Sequence, residues 1–175
     1  MFPEDVTVYL KNSVYVHITF FQWKLFIVGD SYSIKLLFFD TMLHCDDYST
    51  ILNTAKKGST PPLEDAKLFF DAYMSKSIIA LPPCDLSLYT RKEQMVLRTL
   101  SQIPPGQTRS YGELALCCGM KNASRFIGNV MAKNMFPIIY PCHRIIKKNG
   151  TIGNYTGGVA IKQFLLRHER DMDTC

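Results

Sequence analysis

The chain has 175 residues, of which 47% are hydrophobic and 20% charged, and this composition excludes an intrinsically disordered protein. Its net charge of +5 is unevenly placed, because residues 1–90 hold 7 Lys and Arg against 10 Asp and Glu, whereas residues 91–175 hold 13 against 5. A second half that carries a net +8 predicts a polyanionic partner, because ordinary solvated surface charge explains a net of two or three more easily than a net of eight.

The first half reads as strands followed by a helix. Residues 6–39 alternate and are rich in Val, Tyr, Phe and Ile, which predicts two or three antiparallel strands with a hairpin near Gly29. Residues 63–75 follow Pro61-Pro62 with a helical period. Pro82-Pro83 then marks a break. We therefore expect an N-terminal α/β supporting domain over residues 1–85.

The second half, residues 86–175, is predicted to be a mainly helical domain. Thr90-Arg91-Lys92-Glu93 matches a capping box, and the following helix should turn one apolar face inward. The residues of that predicted face are Met95, Val96, Leu97 and Leu100. Residues 159–170 form a last amphipathic helix. The fold class is thus α+β, a small antiparallel sheet with a helix followed by a helical domain.

Between these helices, the pattern is typical of a helix-turn-helix. Ser110-Tyr111-Gly112-Glu113 is a second capping box that opens a helix through Cys117, and Gly119 suits its left-handed C-cap. Asn122 is the predicted N-cap of a third helix that runs through Ala132. Two helices joined by a short turn containing glycine favour a helix-turn-helix, although any pair of short packed helices gives a similar pattern.

Cysteine and terminal patterns bear on compartment and metal content. Six cysteines show no disulfide-framework spacing, which favours a reducing compartment. The spacing of His17, His44, Cys45 and Cys84 matches no zinc pattern, so we expect neither metal nor cofactor. No apolar run is long enough for a bilayer, and acidic residues stand at positions 4 and 5 where a secretory signal needs basic ones. We expect a cytoplasmic protein, or a nuclear one if the source is eukaryotic.

The segment Pro141-Cys142-His143-Arg144 is the strongest candidate for chemistry. A thiol beside an imidazole and a guanidinium has a proton acceptor and positive charge close by, which favours the thiolate. Thiolate is the nucleophilic form of cysteine, so the segment predicts covalent catalysis. Neighbouring Cys and His are more often structural, so the surrounding motifs decide between the two interpretations.

Those motifs resemble the methylated-DNA–protein-cysteine methyltransferases, also called O6-alkylguanine-DNA alkyltransferases. The resemblance covers about residues 87–170 and includes, in the family's order, Ser110 to Leu114, Arg125 to Gly128, Asn134 to Pro137, Gly153 to Gly158 and Leu165 to Glu169. It implies DNA repair by direct reversal. The alkyl group of O6-methylguanine, with O4-methylthymine as a second candidate, would pass to Cys142 after base flipping, in a single turnover that consumes the protein.

The resemblance also implies a role for each catalytic residue. Cys142 would accept the alkyl group, His143 would act as its base through a water molecule, and Glu169 would orient the imidazole. Tyr111 would donate a proton to the departing purine and rotate its phosphate. Asn134 would support the tight turn that presents Cys142.

Recognition of double-stranded DNA containing O6-alkylguanine is implied for the helix-turn-helix. Arg125 would enter the duplex and fill the space that the flipped base leaves. The expected DNA contacts are Tyr111, Ser124, Arg125, Phe126 and Gly128, and the expected substrate pocket comprises Met131, Ile145, Tyr155 and Thr156. The backbone carbonyls of Cys142 and Ile145 would read the exocyclic amine. We expect a monomer that binds no membrane.

Four residues depart from the family pattern, and two other functions compete. Met135 stands where proline is frequent, Tyr140 adds bulk near the nucleophile, and Phe126 and Asn129 are large for a DNA-facing helix. The alternative from another class is a non-catalytic helix-turn-helix sensor of alkyl damage, against which the presence of Cys142 argues. A thiol hydrolase is the weaker alternative, because such enzymes bring Cys and His together from distant positions.

Overall fold

A computed structural model describes residues 6–42, 45–77 and 79–170. The chain forms two compact units, Met1–Asp85 and Leu86–Cys175. His44 and the side chain of Cys45, both considered above for zinc, lie outside what is described. Within the described ranges, no helix has the length and apolar character needed to cross a membrane.

The first unit is built on a four-stranded sheet in the order β3-β2-β1-β4. Strands β1 (Val14–Phe20), β2 (Trp23–Gly29) and β3 (Ile34–Phe39) pair antiparallel, as the alternating residues predict. Strand β4 (Lys56–Lys57) pairs parallel with β1. The hairpin between β2 and β3 follows Gly29, where it was expected.

The secondary structure outside those three strands was harder to predict from the sequence. The segment Val6–Tyr9 is a short helix, α1, although residues 6–39 were expected to be extended. An alternation of only a few residues fits one helical turn as well as a strand, so the wrong prediction has a plain cause. Neither helix α2 (Cys45–Thr54) nor strand β4 was predicted. Strand β4 has only two residues, which are too few to show an alternating pattern.

Helix α3 (Pro61–Met74) covers the sheet of this unit. It begins with Pro61 and Pro62, whose fixed φ suits the first turn of a helix and whose missing N–H is not needed there. Phe70 is fully buried and meets Phe20 of β1 edge to face, with ring centroids 5.5 Å apart. The predicted helix over residues 63–75 is therefore confirmed, with its start two residues earlier.

The described part of the second unit, through Arg170, contains four α-helices and a two-stranded parallel sheet. The helices are α4 (Arg91–Leu100), α5 (Tyr111–Cys117), α6 (Ser124–Ala132) and α7 (Val159–Arg170), and the strands are β5 (Arg109–Ser110) and β6 (Ile145–Ile146). A single 3-10 turn, Cys142–Arg144, leads directly into β6. Because β5 runs into α5, the sheet brings the start of α5 close to the Cys142 turn.

Both predicted capping boxes are present at the starts of α4 and α5. The hydroxyls of Thr90 and Ser110 accept hydrogen bonds from the backbone amides of Glu93 and Glu113, respectively. Each glutamate carboxylate in turn accepts a hydrogen bond from the backbone N–H of its cap residue. The buried face of α4 differs at one position from the prediction, because the Met95 side chain is 40% exposed. The Met95 side chain lies outside the buried face that Val96, Leu97 and Leu100 form.

The turn between α5 and α6 is fixed by backbone geometry. Gly119 has φ +69°, and its N–H donates to Leu116 O while Met120 N–H donates to Ala115 O, which is a Schellman motif. Asn122 is not the N-cap of α6. Ala123 occupies that position without a side-chain bond, and Asn122 sits one residue earlier at φ +58°. Asparagine tolerates this left-handed conformation, so the turn uses it there instead.

Candidate active site

Asn134 ties the segment before Cys142 together. Its Oδ1 accepts from the Phe136 N–H at 3.0 Å, and its Nδ2 donates to Tyr140 O at 2.8 Å and to Cys142 Sγ at 3.1 Å. A buried amide with three such bonds fixes both the turn and the sulfur. The Cys142 N–H also donates to Tyr140 O, at 2.7 Å.

Two of the departures from the family pattern contribute to this turn. The Met135 N–H donates to the Tyr89 hydroxyl at 2.8 Å, and that hydroxyl donates to Lys133 O at 2.9 Å. Proline at position 135 could not make this bond, so Met135 gives the turn a hydrogen bond that proline would not. The Tyr140 ring packs edge to face on Phe136, 5.9 Å between centroids, and is not among the cavity-lining side chains described below.

The two residues after Cys142 belong to a buried ionic cluster. His143 Nε2 is 2.7 Å from Glu169 Oε1, and Arg144 donates to the same carboxylate through Nε at 2.9 Å and Nη2 at 2.8 Å. Arg144 Nη1 donates to Ile103 O. The side chains of His143 and Glu169 are fully buried. Helix α7 thus brings Glu169 to His143 across 26 residues of sequence.

This cluster leaves one nitrogen of His143 available. An ionised carboxylate only accepts, so Nε2 carries the proton and donates to Glu169. Nδ1 is then an acceptor, and it is buried without a hydrogen-bond partner among the described residues. Burial lowers the pKa of His143 below its ordinary value, against the attraction of Glu169. Neutral His143 with a free Nδ1 lone pair is the form that a general base requires.

Glu169 stays ionised despite its position. Burial favours the neutral acid, but His143 and Arg144 together hold the pKa of Glu169 well below its usual range. One carboxylate therefore compensates two basic neighbours. The guanidinium of Arg144 is engaged by this carboxylate and by Ile103 O, whereas the sequence suggested a positive charge beside the thiol.

The resting state of Cys142 also differs from the sequence expectation. Burial raises the pKa of the Cys142 thiol, and the Asn134 amide and the positive charge of Lys162 oppose that shift only in part. The sulfur is therefore a thiol at rest, not the thiolate that its neighbours in sequence predicted. A base must remove its proton before it can attack.

Cys142 opens into a cavity of about 360 Å³. This volume lies in the range of small-molecule pockets. The lining residues are Tyr111, Gly128, Met131, Ala132, Cys142, Asn154, Tyr155 and Thr156. The structure thus gathers most of the expected pocket residues around the sulfur. Ile145 is the exception, since its side chain is fully buried outside this lining and its carbonyl accepts from Lys162 Nζ.

Two phenols face Cys142 inside the cavity. Tyr111, the first residue of α5, is half-buried, and burial together with Cys142 raises its pKa. Burial and the same sulfur raise the pKa of Tyr155, whose hydroxyl has no partner of ordinary hydrogen-bond geometry among the described residues. Both phenols therefore keep their protons. A Cβ at Gly153 would lie 3.1 Å from the Tyr111 oxygen, so glycine gives that hydroxyl its space.

Helix α6 presents its polar positions outward. Ser124, Arg125 and Asn129 are exposed, Phe126 is half-buried, and Gly128 lines the cavity. Helices α5 and α6 pack on one another, and a Cβ at Gly112 would lie 3.5 Å from Ser124 Oγ. Four of the five expected DNA-contacting residues therefore share helix α6 beside the cavity, whereas Tyr111 begins α5.

A second, basic cleft of about 320 Å³ lies next to the start of α5. Arg109 and Ser110 line it from β5, and Lys147 and Lys148 line it from the loop after β6. Both lysines are exposed. Pairing of β5 with β6 brings Arg109 close to the two lysines, so part of the positive charge of the second half lies at this cleft.

Lys162 and Tyr89 are parts of the site that the sequence did not single out. Lys162 belongs to the apolar face of α7 with Ile161 and Leu165, one turn before Leu165 and two turns before Glu169. That helical spacing was a usable signal for an inward-facing lysine. Tyr89, by contrast, precedes α4 in sequence and gave no such signal.

Comparison with known proteins places these features in context. Residues 91–171 match the family model described as 6-O-methylguanine DNA methyltransferase, DNA binding domain. The constitutive methylated-DNA–protein-cysteine methyltransferase of Bacillus subtilis is 35% identical over 150 residues, covering 84% of this chain and 89% of the relative. A methyltransferase of the same name from Shigella flexneri is 46% identical over 77 residues, which are 44% of this chain and 45% of that relative.

Solved structures agree over nearly the whole chain. The O6-methylguanine methyltransferase of Mycobacterium tuberculosis superposes with a TM-score of 0.78 at 27% identity, covering 91% of this chain and 94% of that one. OGT of the same organism, solved in complex with DNA, gives a TM-score of 0.77 at 28% identity, with 90% and 93% covered.

Proposed function

Because the chain belongs to the methylated-DNA–protein-cysteine methyltransferase family, we propose that it repairs DNA by moving the alkyl group of O6-methylguanine onto its own Cys142. O4-methylthymine is the second candidate substrate. The observation that carries the proposal is Cys142 in the wall of the cavity, with a neutral base at the next residue and the carboxylate partner of that base on α7. The cavity volume of about 360 Å³ suits a single flipped base.

The reaction begins with the thiol proton. His143 Nδ1 accepts it through a water molecule, and the bond from Nε2–H to Glu169 stabilises the imidazolium that forms. The thiolate then attacks the alkyl carbon. The sulfur–carbon bond forms as the carbon–O6 bond breaks, and the electron pair of the broken bond stays on the guanine.

Tyr111 completes the proton balance. Its hydroxyl donates a proton to the departing guanine, and the proton held on His143 replaces the one that Tyr111 gives up. The products are a thioether at Cys142 and a neutral guanine. A thioether has no tendency to leave, so each molecule reacts once and the transfer is stoichiometric.

Helices α5 and α6 are proposed to form a helix-turn-helix that binds double-stranded DNA. The exposed guanidinium of Arg125 is suited to enter the duplex and stack in the space of the flipped base. Ser124, Phe126 and Gly128 lie on the same helix. Tyr111 lines the cavity from the start of α5, and we propose that its hydroxyl also contacts the phosphate of the flipped nucleotide. Met131, Tyr155 and Thr156 shape the pocket for the base.

We assign DNA binding and alkyl acceptance to residues 86–175 and a supporting role to residues 1–85. The proposal includes a monomer that works in the cytoplasm, or in the nucleus if the source is eukaryotic. The described cysteines Cys84, Cys117, Cys118 and Cys142 are free thiols, which is consistent with a reducing compartment.

The decisive experiment is intact-protein mass spectrometry after incubation with a duplex that contains one O6-methylguanine. We expect one methyl group per protein molecule, located on the Cys142 peptide, with no further DNA repaired afterwards. Cys142→Ser is the matched control and should bind the duplex without gaining the methyl group. Binding of wild type without transfer would instead favour a damage sensor, and repair of a second equivalent would contradict the single turnover.

A further inference from the structure

The thiolate that forms during transfer needs a nearby positive charge, and the obvious candidates do not supply it. Arg144 is held by Glu169 and Ile103 O. His143 is neutral until it takes the thiol proton, and its charge is then shared with Glu169. The remaining groups that face Cys142 are neutral, namely Asn134, Tyr111 and Tyr155.

Lys162 is the exception. Its side chain is 1% exposed, in the first turns of α7, and its Nζ donates to Ile145 O at 2.5 Å. No carboxylate among the described residues pairs with it. Lysine is almost never fully buried without a partner, because desolvation of the ammonium is costly. A cost of this kind is retained at positions where the charge has a use.

The geometry points to Cys142 as the place where that charge acts. Ile145 O is three residues beyond the sulfur, at the end of the 3-10 turn, so the bond from Nζ fixes the ammonium beside the same turn. Charge on Cys142 and charge on Lys162 favour one another: the ammonium opposes the rise in the pKa of Cys142, and the thiolate opposes the fall in the pKa of Lys162.

We propose that Lys162 is a further positioning residue of the transfer reaction, a fixed ammonium that stabilises the Cys142 thiolate between loss of its proton and attack on the alkyl carbon. This rests on the proposed function. Lys162 exchanges no proton or bond in this role. Once the sulfur–carbon bond has formed, the sulfur is neutral and the negative charge has moved to the guanine, where Tyr111 neutralises it.

The test measures how fast Cys142 is alkylated by iodoacetamide as a function of pH, with no DNA present. Three variants are compared with wild type. Lys162→Met removes the charge and the bond to Ile145 O, whereas Lys162→Gln removes the charge but keeps an N–H donor for that carbonyl. Arg167→Gln is the matched control, since it removes one positive charge from an exposed position of the same helix. Peptide mapping separates Cys142 from exposed Cys117, which serves as an internal reference.

We expect both Lys162 variants to slow modification of Cys142 by about tenfold at neutral pH and to move its pH midpoint upward by roughly one unit, the effect of one nearby charge. Arg167→Gln and the Cys117 rate should stay unchanged. Thermal melting should show Lys162→Met as stable as wild type or more so, because an apolar side chain of similar shape replaces a buried charge. A merely structural lysine would behave in the opposite way, with lower stability and an unmoved pH midpoint.

A wild-type midpoint for Lys162→Gln would overturn the proposal, because the carbonyl anchor alone would then explain the lysine. The outcome is separate from that of the proposed function. If wild type transferred no methyl group from DNA while the midpoint still moved in both variants, repair would be wrong and the role of Lys162 would stand.

Discussion

At the scale of single residues, the site depends on Glu169 serving two partners from consecutive positions of the chain. His143 and Arg144 both reach its carboxylate at 2.9 Å or less. Arg144 and Glu169 are both buried, so removing either one leaves the other with an uncompensated charge. This distinguishes the cluster from exposed ion pairs such as Lys67 with Glu64, which contribute little.

Substitution of Glu169→Gln tests this dependence. We expect the free energy of unfolding to fall by about 3 kcal/mol, because Arg144 remains buried without its counterion. Methyl transfer should also slow, since the imidazolium of His143 loses its stabilising carboxylate. Urea denaturation and single-turnover kinetics measure the two effects.

Acid titration provides the check on Glu169→Gln. Because the folded pKa of Glu169 is depressed, its stabilisation is present above the ordinary pKa of an unfolded glutamate and is lost as the pH falls through the folded value. The difference between wild type and Glu169→Gln should therefore narrow in strong acid. Glu64→Gln removes an exposed carboxylate and should leave stability almost unchanged at neutral pH. Equal effects of the two substitutions would contradict the cluster's importance.

Sequence reasoning at this scale worked where chemistry is local. Cys142 and His143 are neighbours in sequence, so both were singled out from the residues alone, whereas Glu169 was assigned only through the family resemblance. The thiolate at rest was wrong because burial, which raises the pKa of Cys142, cannot be read from adjacent residues. The ion pair of Arg144 with Glu169 of α7 could not be predicted either, because its two residues are distant in sequence.

At the scale of elements, the starts of α4 and α5 are set by the same device. Each capping box was legible because it is a four-residue pattern that acts within one turn. Asn122 was misplaced because an asparagine before a helix suits both an N-cap and a left-handed turn residue. Local sequence fixes the choice only when the alternatives differ chemically.

Comparison of Ser110→Ala with Thr90→Ala separates the effect of a cap on stability from its effect on the position of Tyr111. Each should cost about 1 kcal/mol, since each removes the hydroxyl that accepts from the third helical amide. Only Ser110→Ala should also slow methyl transfer, because Tyr111 is the next residue and the cap fixes the first turn of α5. Denaturant unfolding and single-turnover rates measure both effects. Equal rates for the two variants would show that the cap does not position Tyr111.

At the scale of the whole molecule, charge is divided between the two halves of the chain. The excess of 13 Lys and Arg over 5 Asp and Glu in residues 91–175 is partly gathered at the basic cleft, where Arg109, Lys147 and Lys148 meet. The sequence predicted that the positive charge would lie in the second half of the chain. It did not predict the cleft, because the cleft is created by the pairing of β5 with β6.

The double substitution Lys147→Ala with Lys148→Ala tests this surface. Binding of duplex DNA should weaken similarly for all sequences, and the slope of log affinity against log salt should become shallower by about 2, one unit per lost phosphate contact. Fluorescence anisotropy over a salt series measures it. The control is Lys56→Ala with Lys57→Ala, which removes two adjacent exposed lysines from the other unit. An unchanged slope in the first variant would exclude phosphate contacts at the cleft.

The α+β order of the fold was predictable because strands and long helices carry clear periodicities. The sheet order and the parallel addition of β4 were not, since pairing between distant segments leaves no mark on two-residue strands. The cavity belongs to the same class of feature. Its walls come from α5, α6, the Cys142 turn and residues 154–156, which only the folded chain brings together.

Attachment of the Cys142 turn to α7 has a dynamic consequence. Two successive residues of a three-residue turn are bound to one side chain of α7, and Ile145 O is bound to another. The turn cannot open without also releasing the helix, so the two form a single cooperative unit. In amide hydrogen exchange, the amides of Arg144 and of the centre of α7 should therefore show one common free energy of opening, and Glu169→Gln should lower it for both in parallel.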